Sequence, residues 1–142
     1  MQEMPIDFMQ LQWVVDIVQN IDAGIIVVNK EGEIHMWNGF MTHQTGKQAS
    51  EVLHRSLYEV FPEIDREWFD AKARPVFSLG CRSFITWQQR PYLFRCRNVR
   101  PITQQAEHMY QNVTLAPIKG TTGKIEHMSL FIQDVTNEAI GI

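Results

Sequence analysis

Apolar residues at the start of the chain follow a helical spacing. Phe8, Leu11, Val14, Val15, Val18 and Ile21 recur at i, i+3, i+4 and i+7, the mark of one apolar helix face. Asp7 stands where it can cap that helix, and Gln10, Gln12, Asp16 and Gln19 form its polar side. A stripe this wide has to be covered, either by the domain body or by a second chain. The pattern then changes. Gly24-Ile25-Ile26-Val27-Val28 is a β-branched run suited to a central strand. Asn29-Lys30-Glu31-Gly32 supplies turn residues and Glu33–Trp37 returns, which predicts a hairpin.

Residues 39–80 read as short helical pieces. Ser50 with Leu53, and Leu57 with Val60 and Phe61, predict two brief helices, the second stopped by Pro62. Asp65 caps a longer segment with Trp68, Phe69, Val76 and Phe77 facing inward, kinked or interrupted at Pro75 and ended by Gly80. From Arg82 onward the period is two again. Phe84–Trp87, Tyr92–Arg97, Met109–Ile118 and Lys124–Gln133 read as strands, with turns at Gln89-Arg90-Pro91 and Lys119–Gly123. Strands enclosing a helical block, without βαβ alternation, predict an α+β fold. Its antiparallel sheet carries short helices on one face and is preceded by an N-terminal amphipathic helix.

Composition narrows the class. The 142 residues suit one ordinary domain, and 44% hydrophobic with 20% charged residues excludes disordered and fibrous chains. No apolar run approaches the roughly 20 residues of a membrane span, and Met1–Pro5 lacks the features of a secretion signal. A cytoplasmic location without membrane contact is therefore expected. The two cysteines, Cys81 and Cys96, have no CxxC spacing and predict neither a disulfide framework nor a zinc knuckle.

The net charge of −3 hides an asymmetry. Residues 1–70 carry −8 and residues 107–142 carry −2, whereas residues 71–106 carry +7 from Lys72, Arg74, Arg82, Arg90, Arg95, Arg97 and Arg100. Such a split marks either an anion site or two halves that neutralise each other. The basic segment matches no nucleic-acid module, so mutual neutralisation is expected and a nucleic-acid partner is not.

The sequence resembles the PAS sensor-domain family over about residues 20–137. Asp22–Ile34 is similar to the family's opening strands, and Trp37-Asn38 to its asparagine after the second strand. Thr45-Gly46-Lys47-Gln48-Ala49-Ser50-Glu51-Val52-Leu53 and Leu57-Tyr58-Glu59-Val60-Phe61-Pro62-Glu63 resemble its short helices. Phe131-Ile132-Gln133-Asp134-Val135-Thr136 resembles the DxT motif that joins the sheet to an effector. The resemblance implies a five-stranded antiparallel PAS sheet over 22–137, preceded by a helix or linker at 1–21 and followed at 138–142 by the start of a linker to an effector domain. A finer likeness, carried by Trp87–Phe94, Arg100–Thr103 and Met109–Thr114, is to PAS domains that precede bacterial GGDEF-type diguanylate cyclases.

Local physics gives the motif residues roles of their own. Gly32 permits a positive φ at the hairpin, and Asn38 can bond backbone amides where the chain leaves the second strand. Turn chemistry alone accounts for both. Asp134 and Thr136 can fix the exit direction of the chain, which serves structure and signal coupling equally.

Haem needs an axial ligand, usually histidine, yet none of His35, His43, His54, His108 and His127 lies in 66–79, the segment matching the family's usual haem helix. His54 stands where the family commonly has a loop glycine. Flavin photochemistry requires a cysteine in a different context from Cys81 or Cys96. Neither cofactor is expected. No HxxxH or CxxC spacing suggests a metal, and no GxSxG, P-loop or HExxH suggests catalysis. Glu107–His108 and Glu126–His127 are neighbours that alternate faces along a strand, which argues against a catalytic pair.

A small organic ligand remains. Trp37, Phe40, Phe61, Trp68, Phe69, Phe77, Phe84, Phe94 and Tyr110 are the candidates to line a pocket between sheet and helices, although core packing uses the same residue types. Alternation over 92–97 places Phe94 and Cys96 on one side and Arg95 and Arg97 on the other, with Phe94 expected inside.

The expected function is a sensory domain that binds a small ligand or partner and controls its own downstream output domain, a diguanylate cyclase. A homodimer through the N-terminal helix, the sheet or both is expected. The alternatives are a ligand-free dimerisation module of a histidine kinase or another signalling protein, and, further off, a small haem sensor or enzyme.

Overall fold

A computed structural model describes residues 7–96 and 108–141. The expectations at Met1–Pro5, Arg97 and Arg100–Thr103 fall outside them. The elements run α1 (Phe8–Asn20), β1 (Gly24–Asn29), β2 (Ile34–Trp37), α2 (Gly39–Thr45), α3 (Ala49–Val52), α4 (Leu57–Val60), α5 (Arg66–Leu79), β3 (Ser83–Ile85), β4 (Gln111–Lys119), β5 (Ile125–Asp134) and α6 (Thr136–Ala139). The five strands form one antiparallel sheet in the order β2-β1-β5-β4-β3. The last strand lies beside the first, from Gly24 opposite Ile132 to Asn29 opposite His127.

Local chemistry sets the boundaries. Asp7 closes α1 with a capping box, its carboxylate accepting from the Gln10 N–H at 2.8 Å. At the β1–β2 hairpin Gly32 takes φ 83°, and its N–H donates to the Asn29 carbonyl at 3.0 Å. Ser56 and Asp65 cap α4 and α5, and Gly80 ends α5 in the left-handed region. Two expectations are corrected. Pro75 does not interrupt α5, which runs continuously to Leu79; the ring removes one N–H, and tertiary packing of Phe69, Ala73 and Val76 keeps the helix whole. Residues 92–96 form no strand. Their backbone is held by a side chain instead, as shown below.

Inward positions alternate along the strands: Ile26 and Val28, Val113 and Leu115, Met128, Leu130 and Ile132 are all buried. They pack against Met41, Val52, Leu57, Val60, Phe69 and Val76 from the helices, forming the core. The apolar stripe of α1 is not part of it. Every residue of this helix but Val18 is exposed, including Phe8 at 83% and Ile17 at 63%. The expected cover from the domain body is therefore absent within the described residues.

Candidate functional site

Antiparallel pairing brings the entry to β1, the exit of β2 and the exit of β5 to the same end of the sheet. Asn38 lies there, fully buried. Its Oδ1 accepts from the Ile25 N–H at 3.0 Å and, capping α2, from the Met41 N–H at 3.4 Å. Its Nδ2 donates to the carbonyls of Val18 and Ala23, both at 2.9 Å. One amide thus ties the end of α1, the start of β1 and the start of α2, meeting at Val18 a carbonyl that the end of a helix leaves open. The neighbour has to be glycine: a Cβ on Gly39 would lie 2.2 Å from the Gln19 carbonyl oxygen.

The exit of β5 is tied as closely. The Thr136 N–H donates to Asp134 Oδ1 at 2.9 Å, and the Thr136 hydroxyl donates to the same oxygen. Thr136 Oγ1 in turn accepts from the Tyr110 N–H at 3.1 Å, while the Val135 N–H donates to the Tyr110 carbonyl at 2.9 Å. Thr136 is fully buried and opens α6. The departing chain is locked to the residue that precedes β4.

Gln111, opposite Asp134 in the register, was not singled out from the sequence. It is buried, accepts from the Leu93 N–H at 3.0 Å and donates to the Phe94 carbonyl at 2.9 Å. These bonds replace the strand expected at 92–97. The available signal was a polar residue in step with the inward-facing Val113 and Leu115. Nearby, Cys96 is buried, and desolvation, reinforced by the charges of Glu63 and Asp134, pushes its thiol up to about 12.

The candidate lining residues do not share one pocket. Trp37, Phe61 and Phe94 stack on one another, with centroids 5.8 and 4.2 Å apart, and occupy the interior between sheet and helices. Phe69 is buried with them, and Phe40, Trp68 and Phe77 pack at the margin. Tyr110 is half-buried, its ring edge-on to Trp87. Phe84 is 55% exposed, because its neighbour Ile85 takes the inward position of β3.

Two clefts open elsewhere. One of about 430 Å³ is lined by Lys30, Tyr58, Arg66, Asp70, Arg74 and Phe77. There the Tyr58 hydroxyl donates to Asp70 at 2.6 Å, and burial first, then the Asp70 carboxylate, raises its pKa. The other, about 540 Å³, lies between the 43–47 turn, Phe61, Glu63 and Arg95. The basic segment meets the acidic one, with Arg90 3.8 Å from Asp65 and over the Trp68 ring, and the Arg95 N–H bonded to Glu63.

A family model described as the PAS fold matches residues 14–135. No curated protein matches the chain. Among solved structures, a sensory box sensor histidine kinase from Vibrio cholerae is similar at 23% identity, covering 90% of this chain and 93% of that one with a TM-score of 0.63. The PAS domain of an HTR-like protein from Haloarcula marismortui is 18% identical over 89% and 93%, TM-score 0.65. The PAS domain of Bordetella pertussis BvgS is 17% identical over 92% and 90%, TM-score 0.63. Among the described residues no helix is long and apolar enough to cross a membrane.

Proposed function

The chain belongs to the PAS-fold family, and from that premise we propose that it is a cytoplasmic sensory and regulatory module controlling a C-terminal output domain. Ligand occupancy or partner contact biases the sheet, and the two chain ends carry the change away. A preference of a few kcal/mol between two arrangements is enough. The supporting observation is that α1 and the β5 exit leave the same end of the sheet, each fastened by a buried polar side chain, Asn38 and Thr136. The output we assign is a diguanylate cyclase in cyclic-di-GMP signalling, on the likeness of 87–94 and 109–114 to PAS domains of that class. Catalysis belongs to that domain and not to this segment. The open stripe of α1, with Phe8, Leu11, Val14 and Ile17 exposed, is matched to a second copy of itself in a homodimer.

The experiment is made on the full-length protein. Thr136→Val keeps the side-chain shape and removes the hydroxyl that joins Asp134 to Tyr110. Cyclic-di-GMP synthesis should persist in this variant but stop responding to the cellular stimulus, whereas Thr136→Ser should restore the response. A response unchanged in Thr136→Val defeats the coupling role, and no synthesis from the wild type defeats the cyclase assignment.

A second reading has its own support. The Trp37–Phe61–Phe94 stack fills the interior, as suits a ligand-free dimerisation module. Native mass spectrometry of cell-purified protein separates the two, since a retained small molecule favours the sensor. Light scattering on wild type and Leu11→Glu tests the dimer that both share; an equal monomeric mass in both ends it.

A further inference from the structure

Three elements meet at the cleft of about 430 Å³: the β1–β2 turn, α4 and the outer side of α5. That volume lies in the roughly 300–1,000 Å³ range of small-molecule sites, whereas the interior is filled by the Trp37–Phe61–Phe94 stack. Along α5, Arg66, Asp70 and Arg74 recur at every fourth residue, and Ala73 and Phe77 do the same. Helical spacing thus sets a charged row beside an apolar one, and both line the cleft.

Its floor is apolar. Tyr58 and Phe77 are half-buried and Ala73 is buried. The Tyr58 ring is fixed on three sides. It lies edge-on to Phe69 at 6.3 Å and under the Arg66 guanidinium at 4.7 Å, and a Cβ on Gly32 would lie 3.3 Å from it. Its hydroxyl donates to Asp70 at 2.6 Å, so Arg66 and Asp70 are both engaged by this one side chain. Lys30 and Arg74 are not engaged. Their charged groups have no hydrogen bond, ion pair or ring contact among the described residues, whose ion pairs are Arg55–Glu59 and Arg90–Asp65. With Lys30, Arg66 and Arg74 set against Glu31 and Asp70, the lining carries a net charge of +1.

We propose that this cleft binds a small aromatic monocarboxylate, its ring on Tyr58, Ala73 and Phe77 and its carboxylate met by Lys30 and Arg74. Ring and floor gain by burying apolar surface together, and a guanidinium matches a carboxylate in charge and in its two-pronged shape. One negative charge balances the lining, whereas a second would face Glu31 and Asp70. The proposal rests on the sensory reading only in calling the ligand a signal. Tyr58 supplies the connection to the sheet, because its ring lies against Gly32 of the hairpin, whose carbonyl accepts from the Leu57 N–H at 2.8 Å.

The test is titration of the chain with phenylacetate and with indole-3-acetate at low salt, followed by amide chemical shifts. Each probe should bind one to one with a Kd of about 1 mM or tighter, with shifts centred on 30–32, 58 and 70–78. Acetate, which lacks the ring, and indole, which lacks the carboxylate, should each bind at least about tenfold more weakly. Arg74→Gln should weaken binding about fivefold. Asp70→Asn keeps an acceptor for Tyr58 and removes a negative charge, so it should tighten binding about threefold, a gain that misfolding cannot imitate. Lys47→Gln, in the other cleft, should bind as the wild type does. No saturable shift with either probe at about 5 mM, shifts centred elsewhere, or a Kd unchanged in both Arg74→Gln and Asp70→Asn overturns the proposal. The Thr136 experiment needs no identified ligand, so the sensory reading stands or falls separately.

Discussion

The interior of this domain and the end of its sheet are built on opposite principles. Inside, Trp37, Phe61 and Phe94 stack among apolar side chains; Trp37 Nε1 donates to the Lys47 carbonyl and the Gln111 amide to the Phe94 carbonyl, but ring packing fills the space. The end where the chain enters and leaves holds Asn38, Thr136 and Gln111, the three buried polar residues among those described. Hydrophobic packing is nondirectional and tolerates rearrangement of its parts. A buried amide or hydroxyl is directional, and a partner left unmade costs its full desolvation. Stability is thus concentrated in the first region and geometric definition in the second, where two chain segments have to keep a fixed relation.

The largest effect expected is in the interior. Phe94→Ala removes the ring stacked 4.2 Å from Phe61 and should cost about 3–5 kcal/mol in urea unfolding. The vacancy should then take up a small aromatic such as benzene or indole, with part of the loss recovered. A cost below about 1 kcal/mol would mean that the stack is not a packed core, and the comparison would lose its first half.

At the sheet end, Asn38→Ala should cost about 2–3 kcal/mol, less than the ring, but with a different signature. Four backbone groups lose their partner at once, those of Val18, Ala23, Ile25 and Met41. Hydrogen exchange should therefore rise at Ile25 and Met41 and along α1 while β4 and β5 stay protected. Gly39→Ala should produce the same local signature by a different cause, pushing the Gln19 carbonyl away. Exchange rising uniformly over the sheet in both variants would show that this end is only another part of the core.

These two regions were not equally legible. Strand positions, the hairpin, the capped helices and an inward Phe94 follow from alternation and capping signals, because each depends on residues close in sequence. The failures are all nonlocal. The apolar content of 92–97 suggested a strand, but the Gln111 amide, about twenty positions away, holds that backbone in place of a ladder. Phe84 reads as a pocket residue by type, and only the register of β3 turns it outward. Pro75 reads as a break, and packing overrides it. Asn38 reads as local turn chemistry and Thr136 as a residue that fixes the chain's exit, yet their bonds reach 20 positions to Val18 and 26 to Tyr110.

Cys96 lies where the two regions meet, buried with the core and within the field of Asp134, and it gives the finest test of their boundary. Its thiol is raised to about 12 in the fold, against about 8.5 in an unfolded chain. The folded state therefore holds a proton that the unfolded state releases. This contribution is complete below pH ~8.5 and is lost as pH rises towards the folded value, by at most about 1.4 kcal/mol per pH unit. Tyr58, also raised, adds a loss in the same direction above pH ~10. Urea unfolding of wild type and Cys96→Ala between pH 7 and 10.5, under reducing conditions, should give a shallower decline for the variant from about pH 8.5 upward. Thiol labelling of the native protein supplies the internal control: exposed Cys81 should react at once, and Cys96 only as the fold opens. Equal pH slopes, or equal labelling of the two cysteines, would place Cys96 in contact with water and move the edge of the core inward to Phe94.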